Sequence, residues 1–237
     1  MSLARFPGKT GEFFYNNFFL HYGLDASYVA RKCINLEREL GLLRSGEYCG
    51  ASITMPFKQD VIGYLDYTAP EVTKYGVCNT VKQIHGKLFG YNADLSGVEW
   101  VINQIPPDLT VQVLGDGAMG RMFAKVLHDR KYAASVYSRK KLNWDERHVP
   151  VSVIINATAL GTLDQASPLD QLSEHVLIVD LALKKGSLAD QARANKIEYL
   201  SGLEFYKQVF QKQFEIYTGI LPNLEYFDVL KKGMQST

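Results

Sequence analysis

The sequence predicts an α/β protein of two domains, the second built on a parallel, doubly wound sheet. Three observations carry this expectation. From residue 110 onward short apolar runs alternate with amphipathic stretches, the pattern of repeated strand–helix–strand crossovers. A glycine-rich loop separates the first of those runs from the first helical stretch. Just before it, Pro106-Pro107-Asp108 interrupts the pattern and marks a junction. The 237 residues suffice for one large or two small domains, at roughly 150 residues each.

Composition narrows the function classes. Lys and Arg number 26 against 25 Asp and Glu, a net of +1, so no bulk field recruits nucleic acid or an acidic membrane. An anionic ligand must therefore be caught locally. No apolar run approaches the roughly 18–20 residues of a membrane helix, and residues 1–11 hold no signal-peptide block. Cys33, Cys49 and Cys78 are odd in number and widely spaced, which suits a reducing compartment. A soluble, cytoplasmic protein is expected. His21, His85, His128, His148 and His175 show no paired ligand spacing, so no metal is expected.

The elements follow in order. Phe14, Phe18 and Tyr22 within 12–22, and Leu36, Leu40 and Leu43 within 33–44, recur at helical spacing. The early aromatics, Phe13 to Phe19, read as core. Residues 49–55 read as a strand closed by Pro56, which can open the next helix. Residues 77–91 read as a hairpin turning at His85-Gly86, and 95–104 as a helix. Beyond the junction, 110–114, 134–138, 151–156 and 176–180 read as strands, 118–130 and 203–217 as helices, and Pro222 begins a final short helix. Only residues 140–150 separate Arg139 from Val151, too few for the helix and strand that usually complete a mononucleotide-binding half.

Residues 110–121 read TVQVLGDGAMGR, so Gly115, Gly117 and Gly120 form G-x-G-x-x-G between a strand and a helix. Gly115 permits the tight turn, Gly117 lets backbone approach a pyrophosphate, and Gly120 lets helix and strand pack closely. Ala118 and Met119 lie among the first helical residues, whose N–H groups bind phosphate. The alternative is a purely structural turn. The next strand ends Ser138-Arg139-Lys140-Lys141, without the acid that holds an NAD ribose. Its cations would attract a 2′-phosphate, which favours NADP; the bland alternative is a solvated basic turn.

Four segments in order resemble the shikimate dehydrogenase family: Ser52-Ile-Thr-Met-Pro-Phe-Lys58, Cys78-Asn-Thr80, Gly90-Tyr-Asn-Ala-Asp94 with Gly97, and Ile155-Asn-Ala-Thr158 with Leu160-Gly161. The tail, Gln213-Phe-Glu-Ile-Tyr-Thr-Gly219, is similar too. Shikimate dehydrogenase-like paralogues match the pattern best. The resemblance implies a catalytic α/β domain, residues 1–104 with a returning helix at 218–237, and a shortened Rossmann-like NADP-binding domain at 105–217. It also implies a monomer or homodimer with a small-molecule carboxylic acid substrate, and reversible NADPH reduction of 3-dehydroshikimate to shikimate, a step towards chorismate and the aromatic amino acids.

Carried over residue by residue, Lys58 is the catalytic lysine and Asp94 its paired carboxylate. Charge builds on the ketone oxygen during hydride transfer, and a lysine held by an aspartate can supply the proton. A surface lysine and a plain helix cap remain the alternatives. Thr54 and Asn79 match substrate contacts, although Asn79 could bond its own backbone. Thr158, Ala159, Leu181 and Gly202 would line the nicotinamide end. The family's Ser-x-Ser, which holds the substrate carboxylate, falls on Lys9 and Gly11, so Lys9 and Thr10 are the candidates here. A family tyrosine falls on Leu183, a glutamine on Val209 beside Gln208, and the threonine of N-T-D on Ala93. These departures admit quinate or another shikimate-like substrate, or a non-catalytic dinucleotide- or metabolite-sensing module.

Overall fold

A computed structural model describes residues 1–161, 166–170, 172, 177–184 and 186–235. The chain divides into two compact units, residues 1–94 with 209–237, and residues 95–208.

The first unit contains β1 (Ser2–Ala4), α1 (Thr10–His21), β2 (Ala30–Lys32), α2 (Leu36–Arg44), β3 (Gly50–Ile53), β4 (Tyr67–Thr68), α3 (Pro70–Tyr75), β5 (Thr80–Ile84) and β6 (Lys87–Tyr91). Its six strands run in the order β2-β1-β3-β5-β6-β4, with β2, β1 and β3 parallel and β5 antiparallel to β3 and β6. Helix α2 starts three residues later than the apolar spacing suggests because Asn35 caps it, its side chain accepting from the Arg38 N–H. The hairpin turns at His85 and Gly86 with φ of 49° and 75°, positive values that match the twist of the flanking strands.

Pro56 opens no helix. Residues 55–59 form turns ahead of a 3₁₀-helix at Asp60–Tyr64. The Lys58 carbonyl accepts from the Cys78 N–H at 2.8 Å and is thereby committed to another segment. Of the early aromatics expected in the core, Phe14, Tyr15, Phe18 and Phe19 are buried, whereas Phe13 is half-buried. Phe14 stacks on Phe227 with centroids 3.9 Å apart, and Tyr15 and Phe18 lie against Phe210 and Phe214. Fully burying one such ring stabilises by roughly 1.5–3 kcal/mol.

The second unit takes most of α4 (Asp94–Asn103), then β7 (Val111–Leu114), α5 (Ala118–Asp129), β8 (Ala134–Tyr137), β9 (Val153–Asn156), β10 (Leu177–Asp180), α6 (Ser187–Ala194), β11 (Tyr199–Leu200) and the first part of α7 (Gly202–Thr218). The last helix, α8 (Leu224–Gln235), belongs to the first unit. Among the described residues its five strands are parallel, in the order β11-β10-β9-β7-β8. The central strands β7 and β9 are buried throughout, as a two-faced parallel sheet requires. Between β8 and β9 stands only a 3₁₀-helix, Trp144–Arg147, so the sheet ends at β8. The expected strand at 176–180 is Leu177–Asp180; residue 176, like His175, lies outside the described residues.

The unit boundaries fall at 94/95 and 208/209, about a helix away from the 104/105 and 217/218 expected. Side chains explain the shift. A Cβ on Gly97 of α4 would lie 2.6 Å from the Phe205 ring, and the Ile105 carbonyl accepts from the Tyr132 hydroxyl at 2.7 Å. The second half of α7 instead packs Phe210 and Phe214 into the aromatic core of the first unit. Among the described residues no helix is long and apolar enough to cross a membrane, and no cluster of His, Cys, Asp and Glu could hold a metal.

Candidate active site

In the first unit, Lys58 lies in the turn after β3 and Asp94 begins α4. The Lys58 Nζ donates to Asp94 Oδ2 at 2.7 Å, and the two side chains are 13% and 6% exposed. Lys58 therefore reaches the aspartate from a turn, not from a helix. Asp94 Oδ1 has no partner among the described residues.

Asn79 is the residue before β5 and is buried. Its Oδ1 accepts from the Ala93 N–H at 2.8 Å and from the Thr80 hydroxyl at 2.7 Å, so it does not bond its own backbone. The bond to Ala93 sets Asn79 beside the start of α4. Thr54 follows β3, half-buried, its N–H donating to the Leu3 carbonyl. Lys9 is the exposed N-cap of α1 and Thr10 its first residue. Lys9 carries no ion pair among the described residues, so its ammonium is available to an anion.

In the second unit the glycine loop follows β7 directly. Gly115 has φ of +99°, a backbone state that side chains rarely adopt. A Cβ on Gly120 would collide with the Gly115 carbonyl, so helix and loop can approach this closely only through glycine. Gly117 caps α5, and a Cβ there would meet no protein atom, which leaves space at the helix N-terminus for a phosphate. Beside the loop lies a cavity of about 430 Å³ lined by Gly115, Asp116, Gly117, Ser138, Arg139, Lys140, Trp144 and residues 157–160. Arg139 and Lys140 are exposed at its rim. The arrangement suits a dinucleotide whose pyrophosphate meets the loop and whose anionic end meets the cations. Ala118, Met119 and Gly120 form the first turn of α5. Leu181 and Gly202 are not among the residues lining this cavity; the Leu181 N–H donates to the Asn156 carbonyl, and Gly202 opens α7.

Several residues that organise these sites receive no role from the sequence, Asn156 and Gln213 among them although both stand in family-like segments. Asn156 Oδ1 accepts from the N–H and hydroxyl of Thr158, while its Nδ2 donates to Asp180 Oδ1 at 3.1 Å and to the Leu160 carbonyl. The Tyr199 hydroxyl donates to Asp180 Oδ2 at 2.9 Å. Burial pushes the Asp180 carboxyl above the usual carboxylate range, and hydrogen bonds to it oppose the shift. This network fixes the 156–161 loop. Trp144 takes the Arg139 guanidinium 5.9 Å from its ring centroid, at the edge of cation–π range. Gln213, one helical turn beyond Val209, is buried beneath Asn79 and Thr80. In the sequence Gln213 opens the family-like tail segment 213–219, which carries the resemblance but gives this side chain no role.

A glycine-looped, five-stranded parallel sheet with a basic-rimmed cavity defines a Rossmann-like dinucleotide-binding protein. Residues 12–81 match the family model described as the shikimate dehydrogenase substrate binding domain. The chain is 30% identical over 223 residues to the shikimate dehydrogenase (NADP(+)) of Thermus thermophilus, covering 85% of this chain and 84% of the relative. It is 24% identical to a shikimate dehydrogenase-like protein of Haemophilus influenzae, over 95% and 92% of the two chains. The solved structure of a Thermus thermophilus shikimate 5-dehydrogenase with NADP(H) and shikimate superposes with a TM-score of 0.79 at 27% identity, covering 94% of this chain and 93% of that one. The chain belongs to the shikimate dehydrogenase family.

Proposed function

We propose that the protein is an NADP-dependent oxidoreductase acting on a CH–OH group, and that its substrate pair is shikimate and 3-dehydroshikimate or a closely related cyclic hydroxy acid. The observation that carries the reading is the nearly sealed Lys58–Asp94 pair, 2.7 Å apart, beside Asn79. NADP, held by the Gly115–Gly120 loop with Arg139 and Lys140, supplies or accepts the hydride. The chain's residues handle the rest. The Lys58 ammonium donates a proton to the oxygen that gains charge on reduction, and the amine recovers it on alcohol oxidation. Asp94 Oδ2 holds Nζ in place, leaving Oδ1 to accept from a substrate hydroxyl. Asn79 Nδ2 and Thr54 bind ring hydroxyls.

Lys9 and Thr10 are assigned to the substrate carboxylate. A single ammonium beside one hydroxyl holds a carboxylate less directionally than two paired hydroxyls, so discrimination among ring acids is expected to be loose. The test is a substrate panel of shikimate, quinate and related hydroxy acids with NADP and NAD, followed through NADPH absorbance. Turnover of shikimate or a ring analogue with NADP supports the reading. Normal NADPH binding with no turnover of any member refutes it and favours the sensing module.

A further inference from the structure

We infer that Gln213, acting through Thr80, locks the Asn79 amide into an orientation in which it can only donate to a ligand. The inference rests on the reading of Asn79 as a substrate contact. Each proton along the path is determined by its partners. The Ala93 N–H can only donate, so the Asn79 atom facing it at 2.8 Å is Oδ1, and Nδ2 must face the other way. The Thr80 hydroxyl also donates to that Oδ1, at 2.7 Å. With its proton so committed, Thr80 Oγ1 accepts from Gln213 Nε2 at 2.8 Å, and the same Nε2 donates to the Asn79 carbonyl at 3.0 Å. Gln213 Oε1 in turn accepts from the Tyr15 hydroxyl at 2.9 Å and the Ser52 hydroxyl at 3.3 Å.

Asn79, Thr80 and Gln213 are all buried, so water does not compete for these bonds. The outcome is that both donors on Asn79 Oδ1 are protein groups, and Nδ2 has no partner among the described residues. The site can therefore receive only an acceptor at this point: a hydroxyl, carbonyl or carboxylate oxygen, and not an ammonium. Gln213 touches no ligand in this scheme and is a positioning residue.

The test combines kinetics with the Asn79 side-chain resonance, using the intact protein and whichever hydroxy acid it turns over. Thr80→Val and Gln213→Leu are each expected to raise KM about tenfold, the size of one lost neutral hydrogen bond. Turnover is expected to stay within about twofold, with NADPH affinity unchanged. Thr80→Ser restores the hydroxyl and is expected to bring KM back to near wild type. In protein labelled with ¹⁵N-asparagine, the Asn79 NH₂ pair, assigned by its loss in Asn79→Ala, is expected to be ordered. It is expected to broaden or move in Thr80→Val and Gln213→Leu but not in Thr80→Ser. An NH₂ pair and KM indifferent to both substitutions overturn the inference, as does Thr80→Ser behaving like Thr80→Val. An ordered pair that responds this way, in a protein that turns over no hydroxy acid, supports the relay and refutes the substrate reading.

Discussion

Replacing Lys58 and Asp94 singly and together separates the chemistry of the pair from its structural cost. With Nζ 2.7 Å from Oδ2 and the side chains 13% and 6% exposed, neither charge is well solvated. Lys58→Met leaves the Asp94 carboxylate sealed without its cation. Breaking a buried pair from one side costs about 3–5 kcal/mol, and the residual exposure of Lys58 places this site at the lower end, about 3 kcal/mol. Asp94→Asn strands the ammonium instead, at a cost of about 2 kcal/mol, because the longer side chain can turn towards water. The double variant holds two neutral groups of similar volume and is expected to lie within about 1 kcal/mol of wild type. The coupling energy is then about 4 kcal/mol or more, above the usual range for residues in contact. Guanidinium unfolding with linear extrapolation measures all four proteins, and NADPH absorbance measures turnover. Turnover is expected to vanish in all three variants, including the restabilised one. Single losses that simply add in the double variant refute the claim that the pair is electrostatically sealed. Substantial turnover in the double variant refutes its part in the reaction.

Three further expectations are open to measurement. Arg139→Ala is expected to weaken NADPH roughly tenfold, as the loss of one charge-assisted contact does, and to leave NADH within about twofold; equal effects in titrations with the two cofactors refute the 2′-phosphate assignment. Gly120→Ala drives a Cβ into the Gly115 carbonyl and is expected to cost about 1–3 kcal/mol of stability. Gly117→Ala meets no protein atom and is expected to leave the melting temperature unchanged while weakening NADPH binding; matching melting losses in the two variants count against this account. Asp180 is raised above the usual carboxylate range by burial, so the folded state holds its proton more firmly than the unfolded chain does. Stability therefore falls as pH rises from the ordinary carboxylate value through the raised one, and stays lowered above it. Asp180→Asn lacks this dependence, so its stability relative to wild type should be greatest at neutral pH and shrink on acidification. A pH-independent difference in unfolding free energy contradicts the sign.

What could be read from the residues follows from which forces are local. The strands β7 and β9 announce themselves because a parallel sheet buries both faces, leaving uninterrupted runs such as Val153–Asn156. The glycine loop and the His85-Gly86 turn are legible because backbone conformation selects residue type directly. The three-residue strands β1 and β2 are too short to show any period and exist only through pairing with each other and with β3. The turn bearing Lys58 was hidden for a related reason: the bond diverting its carbonyl to Cys78 crosses twenty residues of sequence. Lys58, Asp94 and Asn79 were found through motif resemblance. Gln213 and Asn156 stand in family-like segments, but their roles, like that of Asp180, are not legible in the sequence, because a buried polar residue is defined by partners far along the chain, as Gln213 is by Tyr15.

The division of the chain has a consequence for biosynthesis. Residues 95–208 form one uninterrupted stretch, whereas the first unit is assembled from both ends, with Phe14 awaiting Phe210 and Phe227. On the ribosome, the later-starting nucleotide unit has its whole sequence in hand before the earlier one does, reversing the usual N-terminal-first order of domain maturation. Until residues 209–227 emerge, the ring of Phe14 lacks its partners Phe210 and Phe227. A nascent chain stalled just short of α8 should therefore bind NADP before it can hold a substrate.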